Sequence, residues 1–365
     1  MNAELRTRAE QGRAWLFEQA LPLWAERGLN PRGGFYDRLG EDRLAVTPAP
    51  MRLRVQARQL YVFAEAGRLG WSGPWRPVVE HGLAFLLHRA TTDSGLVAHT
   101  FDDDGGVVEN GPDLYDQAFA LLGFAHAYAA LEDPRARAAA LDLRDALQPF
   151  AHPLGGFREP AAEGLGANPH MHLFEALLAW EKLDEDPSWS RLADQVATLC
   201  ADRMIDAESS ALREHFTGDW SPAAGARGDE TEPGHHYEWA WLLRRSGRPE
   251  GAAAEALCKR AEHLGVDRAR RVAINAVSVA GDRLDATARL WPQTERLKAM
   301  LSLGWAEPAA EAFDALFAYI QPAPAGLWYD LMQEDGRVRA EPAPASSFYH
   351  IVGALSELFR ETGPW

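Results

Sequence analysis

The stretch GGFYDRLGEDR, residues 33–43, joins two glycines to an aromatic residue and a short run of charge. Glycine admits left-handed backbone, and Gly and Asp together favour tight turns, so the stretch reads as a loop. Its like recurs along the chain. SGLVAHTFDDDGG starts at Ser94, GGFREPAAEG at Gly155, ALREHFTGDW at Ala211 and GLWYDLMQEDGR at Gly326. Successive starts lie 61, 61 and 56 residues apart, and a following gap of 115 has room for one degenerate copy near NAVSVAGDRLDATARL. Six units of roughly 60 residues then fill the chain.

Between these loops the apolar residues recur with helical spacing, as in YVFAEAGRL, QAFALLGFAHAYAAL, HLFEALLAWEKL and HYEWAWLLRRSG. Period-2 strands are scarce, so the expected class is all-α. A unit of this length holds two helices of about 12 to 15 residues and a hairpin-like loop. Six such pairs close into an (α/α)6 barrel, expected here as a single catalytic domain over residues 1–365. An open solenoid would instead end in polar capping repeats. The final segment SSFYHIVGALSELF is apolar and carries a histidine, which favours closure. A closed ring has one concave mouth where loops and helix starts converge.

Composition narrows the partners. The chain has 365 residues, 47% of them apolar and 25% charged, which is a globular balance. A net charge of −16 argues against nucleic acid, whose phosphates need a basic face. Two cysteines, Cys200 and Cys258, form no disulfide framework. The first residues, MNAELRTRAEQGRAW, hold no apolar signal segment, and no run of about 18 apolar residues occurs. The expected protein is cytoplasmic, bound to no membrane or nucleic acid, and a monomer or homodimer.

Polar groups cluster where inner helices should begin. MRLRVQARQLYVF carries Arg54, Gln56 and Arg58, and DLYDQAFALLGF carries Tyr115 and Asp116. GANPHMHLFEALL places Asn168 and His172 four apart, on one helix face, with Pro169 suited to a first turn. PGHHYEWAWLLRR supplies His235 and Glu238, RLWPQTERL supplies Trp291, Gln293 and Glu295, and SSFYHIVGAL supplies His350. Each has an ordinary alternative. Asp116 suits a helix N-cap, Arg54 the wall of the mouth, His170 and His236 packing, and Trp239 and Trp241 the core. Their coincidence across repeats points instead to a shared polar pocket.

Several chemistries fit such a pocket. A metal held by His172, His235, Glu238 and His350 remains open, although no HExxH or histidine-rich tract occurs. A nucleophilic triad lacks its nucleophile, for neither cysteine is near these motifs and no G-x-S-x-G occurs. Glu238 and Glu295 allow a glycosidase pair. Histidine predominates, however, and its pKa near 6.5 suits proton transfer at neutral pH. The expected chemistry is acid/base catalysis on a neutral polyhydroxylated substrate, with tryptophan faces to stack sugar rings.

From GGFYDRL through VQARQLYVF, YDQAF, NPHMHLFEA, PGHHYEWAWLL and WPQTE to FYH, the chain resembles the N-acylglucosamine 2-epimerase superfamily, nearly end to end and in order. That family includes mannose isomerases, sugar 2-epimerases and sulfosugar isomerases, and its fold is an (α/α)6 barrel. The resemblance implies that His235 and His350 are the acid/base pair, one each side of the C1–C2 bond. It implies that His172 and Asn168 hold hydroxyls and assist ring opening, that Arg58 and Tyr115 bind O1 or O2, and that Glu238 orients His235 or a hydroxyl. Trp291 and Arg54 complete the expected substrate-binding set, with no cofactor and no metal. Arg54 stands where relatives often carry an aromatic residue, and Ala345 where some carry a basic one.

The implied reaction is aldose–ketose isomerisation through a cis-enediolate, with D-mannose to D-fructose foremost. Alternatives are mannose 6-phosphate isomerisation and 2-epimerisation of glucose, mannose or N-acylglucosamine. A glycosidase and a non-catalytic sugar-binding barrel are more remote. Short length without cleft-extending loops favours a monosaccharide.

Overall fold

A computed structural model describes residues 3–159 and 164–363; residues 160–163 of the third loop copy lie outside the described residues. The helices in chain order are α1 (Ala3–Trp15), α2 (Leu21–Arg27), α3 (Leu53–Arg68), α4 (Trp75–Phe85), α5 (Leu114–Leu131), α6 (Pro134–Leu147) and α7 (Ala167–Leu183). They continue with α8 (Pro187–Leu199), the single turn α9 (Ala226–Asp229), α10 (Pro233–Ser246), α11 (Ala254–Leu264), α12 (Trp291–Ser302), α13 (Ala306–Ile320) and α14 (Ala345–Thr362). No strand among the described residues exceeds three residues, and those present close short hairpins.

Two kinds of helix alternate, and their sequences say why. In α5 nearly every side chain from Leu114 to Ala127 is buried, as its all-round apolar sequence requires. Asp113 caps it by accepting the Tyr115 N–H at 2.8 Å, and Glu132 ends it in left-handed backbone. Its partner α6 buries only Ala136, Ala140, Leu143 and Leu147, a single stripe at helical spacing, and exposes its charges. Pro134 starts α6 behind an Asp133 cap. Helices α3, α10 and α12 share the buried character of α5, whereas α4 and α11 are striped like α6.

The described residues gather in two compact units. One is formed by Leu21–Val196 with Pro344–Tyr349; there α5 packs against both α3 and α7, and α4 and α6 cover this row. The other is formed by the described parts of Met1–Ala20, Ala197–Ala343 and His350–Trp365; there α10 packs on α11 and α12, and α13 on α12 and α1. A buried ion network ties the second unit together. Arg296, fully buried, donates to Glu262 at 2.6 and 2.9 Å and to Glu311 at 3.1 Å, and Tyr237 donates to Glu262 at 2.8 Å.

One contact repeats in both units. Near the start of α3, α5, α7, α10 and α12 a buried amide or imidazole grips the backbone of the preceding turn. Gln56 accepts the Phe35 N–H at 2.6 Å and donates to the Phe35 carbonyl at 2.9 Å. Gln117 does the same to Val97 at 2.8 and 3.0 Å, and Gln293 to Ala273 at 2.8 Å both ways. In α7 and α10 a histidine takes the place. His170 accepts the Phe157 N–H at 3.0 Å and donates from Nδ1 to the Gly166 carbonyl at 2.8 Å. His236 accepts the Leu212 N–H at 3.0 Å and donates to the Glu232 carbonyl at 2.9 Å. The expectation that His170 and His236 serve packing is met.

The loop repeat also appears in the backbone. Hairpin bridges close at Leu29 with Phe35, Thr91 with Val97, Ala151 with Phe157 and Ile205 with Leu212, and strand pairing joins Val266 to Ala273. The degenerate copy therefore begins at Val272 and continues in the hairpin of Ala276–Ser278 with Arg283–Asp285. The residue two before each closing bridge has positive φ: Gly33, Gly95 and Gly155 in the first three copies, Ser210 in the fourth and Arg271 in the degenerate one. Asp116, for which an N-cap was one of two readings, is not the cap of α5. That role belongs to Asp113, and Asp116 is wholly buried beneath Arg54 and His99.

Burial penalises a charged ring and depresses His170 and His236 to about 4, against the smaller upward pull of their backbone hydrogen bonds. An unfolded histidine titrates near 6.5, so stability is lost as pH falls from 6.5 toward 4. Glutamine fills the same role in three other repeats. His170→Gln is therefore expected to fold and to gain stability relative to the parent at pH 5 over pH 7.5. The gain is roughly 2 kcal/mol, read from urea unfolding at the two pH values.

Candidate active site

The repeated clamp sets which side chains face inward. Residues four apart lie on one helix face, and a residue midway between them lies nearly opposite. Two positions before the clamps stand Arg54, Tyr115, Asn168, Gly234 and Trp291; two positions after stand Arg58, Phe119, His172, Glu238 and Glu295. Most residues singled out from the sequence thus share one face of their helix, turned away from the clamp.

In the unit that carries α10 and α12, two histidines pack on one indole. The His235 ring lies 5.0 Å from Trp291 and the His350 ring 5.9 Å from it, centroid to centroid. Gly234 makes this approach possible, since a Cβ there would come within 2.4 Å of the indole. Both imidazoles are almost buried, His235 at 5% and His350 at 6% exposure. Each is held by a carboxylate on Nδ1: Glu214 at 2.9 Å for His235 and Glu295 at 2.8 Å for His350. Nδ1–H donation to a carboxylate fixes the tautomer in which Nε2 is the basic nitrogen of a neutral ring. Glu238, expected to orient His235 or a hydroxyl, brings its carboxylate to Glu295 and His350, with one atom of each within 4.8 Å of the others, and its charge also acts on His235.

The electrical settings of the two rings differ. His235 also has Glu232 at 3.8 Å. Burial works against a charge on the His235 ring, but Glu214 and then Glu232 outweigh it and hold the ring up to about 10. His235 is therefore an imidazolium at neutral pH. Burial pushes the Glu232 carboxyl up, against the pull of His235. At His350 the partner carboxylate is itself bound: Glu295 Oε2 lies 2.5 Å from Lys298 Nζ, and that ammonium lies 3.9 Å from the centre of the Trp241 ring.

The other unit holds a second polar cluster. Arg58, 5% exposed, donates to the Tyr115 hydroxyl at 2.8 Å and lies over the Phe119 ring at 4.2 Å, near Tyr349 at 5.3 Å. Among the described residues no carboxylate is ion-paired to it, so the aromatic faces and the phenol carry the solvation of its charge. His172 packs on Phe119 at 4.4 Å and sets Nδ1 3.3 Å from Glu175, which also accepts from the Tyr349 hydroxyl. Asn168 Oδ1 is buried and has no hydrogen-bond partner among the described residues. Arg54 is committed to Asp116 at 3.0 Å and lies over the Tyr115 ring at 4.8 Å, with His99 hydrogen-bonded to the same carboxylate.

Sequence reasoning missed Glu214, Glu232, Lys298, Glu175 and Tyr349. Three of these carried a signal: Glu232, Glu175 and Lys298 each lie three residues from His235, His172 and Glu295, one helical turn away. Glu214 reaches His235 from a hairpin 21 residues earlier, with no periodicity to mark it.

The sequence model of the N-acylglucosamine 2-epimerase (GlcNAc 2-epimerase) family matches residues 34–354. The chain is 40% identical over 380 residues to a mannose-6-phosphate isomerase of Rhizobium meliloti (strain 1021), covering 98% of each. It is 30% identical over 220 residues to a D-mannose isomerase of Pseudomonas cannabina pv. alisalensis, covering 53% of this chain and 52% of that one. Among solved structures, a cellobiose 2-epimerase from Bacillus thermoamylovorans B4167 superposes with a TM-score of 0.86 at 18% identity, over 97% of this chain and all of the other. The fold class is accordingly the all-α (α/α)6 barrel of six helix pairs expected from the repeat. No described helix is long and apolar enough to cross a membrane.

Glu214 is the nearest source of the high proton affinity of His235. In Glu214→Gln the His235 imidazolium is expected to titrate well below about 10, toward the ordinary histidine value near 6.5. Imidazole 15N shifts across pH 6–11 check this, and an unmoved midpoint would mean that Glu232 alone suffices.

Proposed function

Because this chain belongs to the N-acylglucosamine 2-epimerase family and is a sugar isomerase or epimerase, we propose that it interconverts D-mannose and D-fructose with His235 and His350 as its acid/base pair. The observation that carries this reading is the pair of carboxylate-held histidines on one indole, in opposite electrical settings. Isomerisation moves a carbon-bound proton from C2 to C1 and a hydroxyl proton from O2 to O1. The neutral Nε2 of His350 takes the C2 proton of the open-chain aldose, which the adjacent carbonyl acidifies, and returns it to C1. The His235 imidazolium donates to O1 as negative charge gathers there, and the neutral ring then recovers a proton from O2. A positioned base contributes about 10²- to 10⁴-fold, and a donor at the developing oxyanion about 2.7–4 kcal/mol. Trp291 offers an apolar face for the sugar and Glu238 an acceptor for a hydroxyl.

A neutral aldose suits this cluster better than a phosphate ester. Glu214, Glu232, Glu238 and Glu295 surround the histidines, a poor seat for a dianion, and the chain carries a net charge of −16. Mannose 6-phosphate is the second reading, favoured by the name of the relative at 40% identity.

Incubation with mannose, glucose and mannose 6-phosphate in D2O, followed by NMR at C1 and C2, separates the readings. Fructose is the expected product, with deuterium at C1 only to the extent that His350 exchanges with solvent before it returns the proton. Glucose would indicate 2-epimerisation, and turnover confined to the phosphorylated sugar would establish the second reading. His235→Ala and His350→Ala are each expected to lower kcat at least about 10²-fold with unchanged far-UV circular dichroism. Activity is expected to survive EDTA, and its loss would overturn the metal-free mechanism.

A further inference from the structure

We propose that Lys298 is a positioning residue which, through Glu295, keeps His350 a neutral base of fixed tautomer. The inference rests on the proposed assignment of His350 to proton transfer. Lysine side chains ordinarily bury their stems and lift the ammonium to water. Lys298 does not: it is 2% exposed, and its Nζ lies 2.5 Å from Glu295 Oε2, one turn back on α12. The ring of Trp241, on α10, lies 3.9 Å away and supplies a cation–π face.

The consequence falls on the other carboxylate oxygen. Glu295 is wholly buried, and its Oε1 takes the His350 Nδ1–H at 2.8 Å, with the Thr294 hydroxyl at 3.3 Å. With one oxygen held by each partner, the carboxylate cannot rotate away from the ring. Charge is settled in the same way. An uncompensated buried carboxylate is neutralised most readily by protonating its histidine, as happens at His235. There Glu214 and Glu232 have no lysine or arginine ion-paired to them among the described residues. At His350 the charge of Glu295 is already met by Lys298, and among the described residues Glu238 from α10 brings a second carboxylate oxygen within 4.8 Å of the ring. A ring that keeps its Nε2 lone pair at neutral pH is the one able to accept a carbon-bound proton.

The test reads protonation directly and does not depend on turnover. In protein labelled with [15N]histidine, the His350 resonances are those missing from His350→Gln. The wild type is expected to show a neutral Nδ1–H ring at pH 7.5, whereas Lys298→Met raises its midpoint by about one pH unit. Lys298→Gln, which keeps a donor without the charge, should titrate like the methionine variant and replaces it if that variant does not fold. Lys298→Arg should titrate like the wild type. In activity, the acid limb of kcat is expected to move up by the same interval, with a loss of up to about tenfold below it and KM within about threefold. An imidazolium at His350 in the wild type, or an unmoved midpoint in both uncharged variants, would overturn the proposal. A wild type that exchanges no C2 proton on any sugar would instead overturn the isomerase assignment, while the titration still decides Lys298.

Discussion

A buried amide or imidazole bonded to the backbone of the preceding turn fixes the start of each of five inner helices. Orphaned N–H and C=O groups are costly inside a protein, and a turn that runs beneath a helix has two of them to satisfy. Gln56, Gln117 and Gln293 satisfy both with one side chain, while His170 and His236 accept from the turn and donate to the carbonyl four residues back. The two-point contact of each glutamine, and the ring of each histidine pinned between turn and helix start, oppose slip of the helix along or about its axis. Every side chain two positions away is thereby aimed, and the polar residues Arg58, His172, Glu238 and Glu295 occupy those positions instead of core.

Electrostatics then divides like residues into unlike roles. His235 and His350 share an indole and the same Nδ1–carboxylate contact, yet Lys298 is ion-paired to the carboxylate beneath His350, and among the described residues no lysine or arginine is ion-paired to those beside His235. The stronger donor is made by leaving carboxylates unbalanced around His235. The stronger acceptor is made by balancing the one beneath His350. Neither outcome is a property of histidine itself. The same reasoning separates Arg54, whose charge is absorbed by Asp116, from Arg58, which faces only aromatic rings and a phenol among the described residues.

Much of this was legible in the sequence, and the limits have physical causes. Helical period and glycine-bearing turns revealed six units because both are local. The copies starting at Ala211 and Val272 were fainter because Ser210 and Arg271 fill the left-handed position that glycine marks elsewhere. His235, His350 and Trp291 stood out as polar or aromatic residues at helix starts, and the structure brings them together. The cap and pocket readings of Asp116 could not be separated, because a carboxylate at a helix start looks the same whether it faces the backbone N–H groups or a buried arginine. Glu214 left no trace, since its tie to His235 exists only once a hairpin has folded back.

The clamps also bear on how the chain folds. They join residues only 21, 20, 13, 24 and 20 positions apart, so closing each loop costs little chain entropy. By contrast, the pairing of Arg8 with Asp314 spans 306 positions and awaits nearly the whole chain. Contacts of low sequence separation form early and fast. Each repeat can therefore register its inner helix on its own turn as it emerges, before the two ends of the polypeptide find one another.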